Sequence, residues 1–224
     1  MLDLAIRNGL VIDGTGSPGQ LGDVGGRDGR IVAVGEIPNE ALEEVDATGL
    51  VVAPGFVDVH THFDAQVFWD STLSPSPLHG VTTIIGGNCG FTIAPLTPDD
   101  GDYLMRMLAR VEGMPLASLQ EGVPWNWSTF GEYLDVLVAR GVVPNVAALA
   151  NHSCIRTYVM GIDASQRRAT PGEIKAIGGL LRDAMEAGAI GLGTSTLESH
   201  NGEGGVPMPS RFAGDDEFRE FARV

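Results

Sequence analysis

The sequence of 224 residues is long enough for one large domain, or for a small domain beside part of a larger one. A hydrophobic content of 43% can fill a core, and no apolar run is long enough to span a bilayer. The net charge of −15 argues against binding to nucleic acid or to anionic membranes. Two cysteines are too few for a disulfide framework, so a reducing, cytoplasmic location is expected.

Residues 1–53 are predicted to form the amino-terminal part of a small β-subdomain. Short apolar segments alternate here with tight-turn dipeptides: the strand candidates are residues 4–7, 10–12 and 30–34, and the turns are Asn8-Gly9, Asp13-Gly14 and Asp28-Gly29. Because the segment has few large side chains, it is too small for a stable core of its own. We therefore expect it to pack on another part of the protein.

Residues 51–59 are apolar and rich in β-branched side chains, which predicts a buried strand. Alternate residues of a strand share a face, so Asp58, His60 and His62 are predicted to point the same way. Two neighbouring imidazoles form half of a divalent-metal site. An isolated His-x-His pair is more often a surface or core pair. The position at a strand end favours a metal site, and so do the flanking acids Asp58 and Asp64, which could orient the imidazoles.

Residues 80–87 predict a second buried strand, which leads into Asn88 and Cys89. Neighbouring parallel strands lie ~5 Å apart, so one ion could contact both strand ends. Zinc accepts mixed nitrogen and sulfur ligands, and it binds cysteine as the thiolate. A free cysteine is most often a small buried hydrophobe, so a ligand role and a packing role for Cys89 remain equally open at this point.

The rest of the chain alternates helices and strands. Helical signals cover residues 97–110 and 215–224, capping boxes at Thr129–Glu132 and Thr170–Glu173 begin two more helices, and strands are predicted at residues 144–150 and 189–194. This order predicts an α/β fold with a parallel sheet, either a barrel or a doubly wound layer. Ligand-like residues after successive strands favour the barrel, so residues 54–224 are predicted to form strands 1–4 of an incomplete TIM-like barrel.

Three residues in the later part of the chain have open roles. His152 follows the third predicted strand and could be a ligand, a substrate contact or a hydrogen-bonding residue at the strand end, of which the last is favoured. Cys154 is predicted to pack in a loop beyond that strand. His200 lies in a polar loop, where we expect it to be solvated or to contact substrate. A redox pair of Cys89 and Cys154 is a further, weakly supported alternative.

Two stretches carry a family resemblance. GFVDVHTHFDAQVFWD, at residues 55–70, resembles the first strand of the amidohydrolase superfamily, and GVTTIIGGNCGFTIAP, at residues 80–95, is similar to its N-acyl-D-amino-acid deacylase (D-aminoacylase) branch. The resemblance extends over nearly the whole chain. It implies a TIM-like barrel with a small β-subdomain, a weakly occupied metal position at His60 and His62, and one tight zinc position that includes Cys89. Asp58, Asp64, Asn88 and His152 would then support these ligands or contact substrate.

The resemblance implies a zinc-dependent hydrolase that removes the N-acyl group from an N-acyl-D-amino acid, a small-molecule substrate. In that family the general base and two more histidine ligands come from later strands, so no residue here can be assigned as catalytic, and we expect an amino-terminal portion that could be inactive alone. A hydantoinase-like cyclic amide hydrolase is a related alternative, although the fourth predicted strand ends without a lysine to bridge two metals. A non-catalytic half-barrel that pairs with a second half-barrel or with itself is another.

Overall fold

A five-stranded sheet forms the first part of the computed structural model, which describes residues 1–38 and 40–224. Its strands are β1 (Leu2–Val11), β2 (Gln20–Arg27), β3 (Arg30–Gly35), β4 (Ala41–Asp46) and β5 (Val51–Val52). The order is β3-β2-β1-β4, with β5 also paired to β1. β1–β2 and β2–β3 are antiparallel, whereas β4 and β5 run parallel to β1. The chain divides into two compact units, Met1–Gly55 and Phe56–Val224, two residues beyond the predicted boundary.

The predicted turn at Asn8-Gly9 is wrong, because β1 continues through it as one strand. Asn8 has a left-handed φ of 61°, and the register with β2 shifts between Ile6 and Gly9. Asparagine tolerates this conformation, so the chain forms a bulge here rather than a reversal. The turn at Asp28-Gly29 is confirmed: both residues have positive φ, as a tight hairpin between β2 and β3 requires.

The second unit contains two small parallel sheets covered by helices. β6 (Phe56–Asp58), β7 (Val81–Gly86) and β8 (Asn145–Ala148) form one sheet, and β9 (Ala150–Asn151) pairs with β10 (Leu192–Gly193). The helices are α1 (Gly101–Val111), α2 (Leu116–Gly122), α3 (Phe130–Arg140), α4 (His152–Met160), α5 (Pro171–Ala187) and α6 (Asp215–Phe221). Short 3-10 turns occupy Gln66–Phe68, Ser76–His79, Asn88–Gly90, Gly161–Ser165, Glu203–Gly205 and Pro209–Phe212.

The fold is thus mixed α/β with parallel pairing, as predicted, but the strands of residues 1–38 and 40–224 do not close into a barrel. Among the described residues, none of the helices has the length and hydropathy needed to cross a membrane. The core of the second unit is formed by apolar faces of α1, α3 and α5 and by the stacked rings of Phe68 and Trp127, whose centroids lie 5.2 Å apart. Burial of these faces supplies the main stabilising free energy of the unit.

The predicted buried strand at residues 51–59 is corrected in two respects. Val51 and Val52 belong to the first sheet, and the second sheet contains only Phe56–Asp58 of this stretch. Phe56 and Val57 are 68% and 55% exposed, because β6 is the edge strand of its sheet and, among the described strands, pairs with β7 alone. An apolar, β-branched run does not distinguish an edge strand from a central one.

Helix starts are predicted best where a side chain caps them. Both capping boxes are confirmed, with Thr129 and Thr170 accepting from the backbone N–H groups of Glu132 and Glu173. The helix predicted from residue 97 begins only at Gly101, because Thr97 donates to Asp100 in a turn that precedes it. The loop predicted around Cys154 is also wrong, since α4 follows β9 without an intervening loop.

Candidate metal centre

Three residues predicted as ligands come together after the first two strands of the second unit. His60 and His62 follow β6, and Cys89 lies in the 3-10 turn that follows β7. One possible ligand atom from each of the three lies within 4.8 Å of the other two. The His60 Nε2 and Cys89 Sγ atoms are 3.2 Å apart, and the two imidazole centroids are 5.3 Å apart. The carboxyl ends of parallel strands meet at one edge of a sheet, which is why residues 29 positions apart converge.

The turn that carries Cys89 has an unusual backbone. Cys89 has a left-handed φ of 56° between Gly87 and Gly90, whose φ values are 82° and 75°. A non-glycine residue in this region costs on the order of 1–2 kcal/mol, and such strain is typical of functional sites. The Asn88 amide stabilises the turn by donating to the Ile85 carbonyl at 2.8 Å. A side chain on Gly90 would lie 2.8 Å from the Ser195 backbone nitrogen, so this position requires glycine.

Glu112 is a site residue that the sequence reasoning missed. It caps the carboxyl end of α1, and its Oε2 lies 3.1 Å from His62 Nε2. Its side chain is 10% exposed, whereas that of His62 is 25% exposed. The sequence does contain one signal: the helix dipole disfavours an acid at a helix carboxyl end, so a glutamate there needs another reason. Nothing in the spacing connects it with histidines 50 residues earlier.

Burial shifts the protonation of these groups toward their neutral forms. It raises the pKa of Glu112 to about 7, with a further contribution from the negative charge of Asp64. Burial lowers the pKa of His62, and the neighbouring His60 imidazole adds to this. The pKa of the Cys89 thiol is raised by burial and then by Glu112. A bound cation reverses this preference for the thiol and the carboxyl group, because it favours thiolate and carboxylate, and it reinforces the preference of His62 for the neutral imidazole.

Several buried polar atoms of this cluster have no hydrogen-bond partner among the residues that the structure describes. They are His62 Nδ1, Glu112 Oε1 and Asp64 Oδ2. Unpaired buried polar atoms are costly and rare, and they concentrate where an ion or ligand belongs. Two imidazoles and a thiol are also a donor set that zinc accepts. The residues present therefore fit a divalent metal ion.

The acids predicted to orient the imidazoles have other partners. Asp58 accepts from the backbone N–H of His60 at 3.3 Å, and buried Asp64 accepts from the Thr92 hydroxyl at 2.6 Å. Burial raises the pKa of Asp64 to about 6, although the hydrogen bond from Thr92 opposes this. Both carboxylates thus stabilise the segment around the histidines rather than the rings themselves.

His152 lies in a separate, fully buried cluster. Its Nδ1 is 2.8 Å from the Thr194 hydroxyl and its Nε2 is 2.7 Å from Glu217, which also pairs with Arg156. Both ring nitrogens are engaged, which favours the hydrogen-bonding role over the ligand role. His200 is half-buried, and its Nδ1 lies 2.9 Å from the Ser195 hydroxyl. Cys154 is a buried thiol that donates to the Thr92 carbonyl.

Comparison with known proteins decides the family. A model of the amidohydrolase family matches residues 43–221 of this chain. The chain belongs to the amidohydrolase family. It is 39% identical to the D-aminoacylase of Alcaligenes xylosoxydans xylosoxydans over 196 residues, which are 87% of this chain and 38% of that relative. The chain therefore spans well under half the length of the relative that it matches.

Two solved amidohydrolase-family structures share both sequence and fold with it. A D-aminoacylase studied for its binuclear metal centre superposes with a TM-score of 0.79 at 36% identity, covering 100% of this chain and 43% of that one. The N-acyl-D-glutamate deacylase of Bordetella bronchiseptica, in complex with zinc and a phosphonate inhibitor, gives a TM-score of 0.80 at 34% identity. That match covers 99% of this chain and 42% of the deacylase.

Proposed function

We propose that this amidohydrolase removes the N-acyl group from N-acyl-D-amino acids at a zinc ion held by His60, His62 and Cys89. The observation that carries the proposal is the convergence of these three side chains within 4.8 Å at the ends of two parallel strands. The similarity to D-aminoacylase and to N-acyl-D-glutamate deacylase supports the D-amino-acid substrate class. The binuclear centre of one neighbour supports a second, weaker metal position.

Each neighbouring residue has a positioning role in this proposal. Asn88 fixes the strained turn of Cys89, Asp58 fixes the backbone of His60, and Asp64 holds the segment after His62 through Thr92. His152 supports the loop after β10 through Thr194. When bound, zinc lowers the pKa of water and polarises a carbonyl oxygen, which is the chemistry that amide hydrolysis requires.

The same proposal includes a TIM-like barrel of which β6–β10 are part, in a cytoplasmic enzyme. In such barrels the site lies at the carboxyl ends of the strands, where His60, His62 and Cys89 are found. The sequence contains a single lysine, Lys175, which is exposed on α5. β10 therefore offers no lysine to bridge two metals.

The test is hydrolysis by the zinc-loaded protein of N-acyl-D-glutamate, an N-acyl derivative of a neutral D-amino acid, their L-enantiomers and a hydantoin. We expect release of the free amino acid from the D-substrates only. If the protein hydrolysed only the hydantoin, the result would favour the hypothesis of a hydantoinase-like cyclic amide hydrolase. Stoichiometric zinc without any hydrolysis would favour the non-catalytic half-barrel, which size measurement in solution would then reveal as a paired species.

A further inference from the structure

Glu112 has the geometry of a metal ligand rather than of a surface acid. Its carboxylate is nine-tenths buried at the end of α1, with Oε2 at 3.1 Å from His62 Nε2. Zinc binds imidazole nitrogen and carboxylate oxygen at ~2.0–2.2 Å, so two such donors on one tetrahedral ion lie about 3.4 Å apart. The observed separation is within a few tenths of an ångström of that value.

No arginine or lysine among the described residues compensates this carboxylate. Within the described part of the chain, neither Glu112 nor its buried neighbour Asp64 forms an ion pair with arginine or lysine. Glu112 Oε1 is also buried without a hydrogen-bond partner among these residues. A buried carboxylate in this setting is costly unless a positive charge accompanies it.

We propose that Glu112 is a fourth donor to the cation held by His60, His62 and Cys89, binding it directly through a carboxylate oxygen. This inference rests on the proposed function, since it presupposes a cation at those three residues. The completed set provides two neutral nitrogens, one thiolate and one carboxylate. Their two negative charges neutralise a divalent ion.

The test combines zinc affinity with a crystal structure of the zinc-loaded full chain. Chelator competition should show that Glu112→Gln binds zinc at least about tenfold more weakly than wild type. Glu121→Gln, which changes an exposed glutamate on α2, is the matched control and should bind zinc like wild type. Should Glu112→Gln fail to fold by circular dichroism, Glu112→Asp keeps the charge but withdraws the oxygen, and it should weaken zinc binding too.

The crystal structure separates direct binding from a hydrogen-bonding role. A zinc–oxygen distance of ~2.0–2.2 Å to Glu112 supports the proposal. A distance well beyond bonding range, with Oε2 accepting from His62 Nε2, overturns it, as does wild-type affinity in Glu112→Gln. Cys89→Ala in the same series separates the two hypotheses. Wild-type zinc affinity in that variant removes the proposed function itself, whereas loss of zinc there with normal binding in Glu112→Gln removes only this inference.

Discussion

Two histidine–glutamate pairs in the second unit have opposite surroundings. His152 and Glu217 lie 2.7 Å apart, are almost completely buried, and share their charge with Arg156. His62 and Glu112 lie 3.1 Å apart and retain a quarter and a tenth of their side-chain exposure. In residues 1–38 and 40–224, no arginine or lysine pairs with Glu112.

The difference separates a structural pair from a functional one. In the first pair the negative charge of Glu217 is neutralised by Arg156. Because His152 and Arg156 lie on α4 and Glu217 lies on α6, these contacts also join the two helices. The carboxylate of the second pair has no arginine or lysine partner among the described residues, so a bound cation would supply the missing positive charge. Residue types alone do not distinguish the pairs; the neighbouring charge does.

The largest expected effect is a loss of protein stability when the His152–Glu217 pair loses its arginine. Replacing Arg156 by Met leaves Glu217 as an uncompensated buried charge, so it should lower the free energy of unfolding by about 3–5 kcal/mol. Glu217→Gln should cost a similar amount. Urea denaturation measures both, and Arg219→Met, at an exposed position of α6, should change stability by less than about 0.5 kcal/mol. If Arg156→Met lowered the free energy of unfolding by less than about 1 kcal/mol, that result would contradict the claim that Arg156 neutralises the buried Glu217.

Gly193 packs between the His152 cluster and the turn that carries Cys89. Gly193 precedes Thr194, the partner of His152, and a side chain on Gly193 would lie 2.0 Å from the carbonyl oxygen of Gly87 in the Cys89 turn. Gly193→Ala should therefore cost about 1–3 kcal/mol and weaken zinc binding. Gly179→Ala on α5 has open space and should instead stabilise by about 0.5–1 kcal/mol. Unchanged zinc affinity in Gly193→Ala would show that the turn does not depend on this packing.

In the His62–Glu112 pair, removing the negative charge should stabilise the zinc-free protein rather than destabilise it. In zinc-free protein, Glu112→Gln removes a buried carboxylate that lacks a compensating charge, so it should raise the free energy of unfolding by about 1 kcal/mol. In zinc-saturated protein the same change should destabilise. Thermal unfolding with and without zinc measures both, and a destabilising effect in the two states would mean that Glu112 is structural, like Glu217.

The smallest effect is a pH dependence of the first pair. Burial lowers the pKa of His152 below its ordinary value of 6.5. The unfolded chain therefore binds that proton more readily, so the stability contributed by His152 is present above about pH 6.5 and is lost as the pH falls. Between pH 7.5 and 5.5, wild type should lose more stability than His152→Gln. The carboxyl groups of Asp64 and Glu112 are common to both proteins, so equal slopes would contradict a neutral buried His152.

The sequence predicted the proximity of three candidate ligands better than it predicted the strands around them. His60, His62 and Cys89 each follow an apolar run, and the carboxyl ends of neighbouring parallel strands meet, but a ligand role for Cys89 was implied only by the family resemblance. Capping boxes located α3 and α5 because the signal lies within four residues. Exposure of Phe56, by contrast, depends on which strands flank β6, and periodicity carries no such information.

The contact of Glu112 with His62 could not be predicted from residues close together in the sequence. Glu112 reaches His62 only because α1 ends beside the strand edge, a tertiary arrangement with no local signal beyond an acid at a helix carboxyl end. The left-handed conformation of Cys89 was not predicted either. Glycine commonly adopts a positive φ and cysteine does not, so the residue type gave no indication of it.

The most direct test of the account is the zinc content of the purified chain in wild type, Cys89→Ala and Cys154→Ala. Both cysteines are free, but only Cys89 lies beside the histidines, so Cys154 is the matched control. The account predicts bound zinc in wild type and Cys154→Ala and its loss in Cys89→Ala. Equal zinc in all three proteins would contradict it.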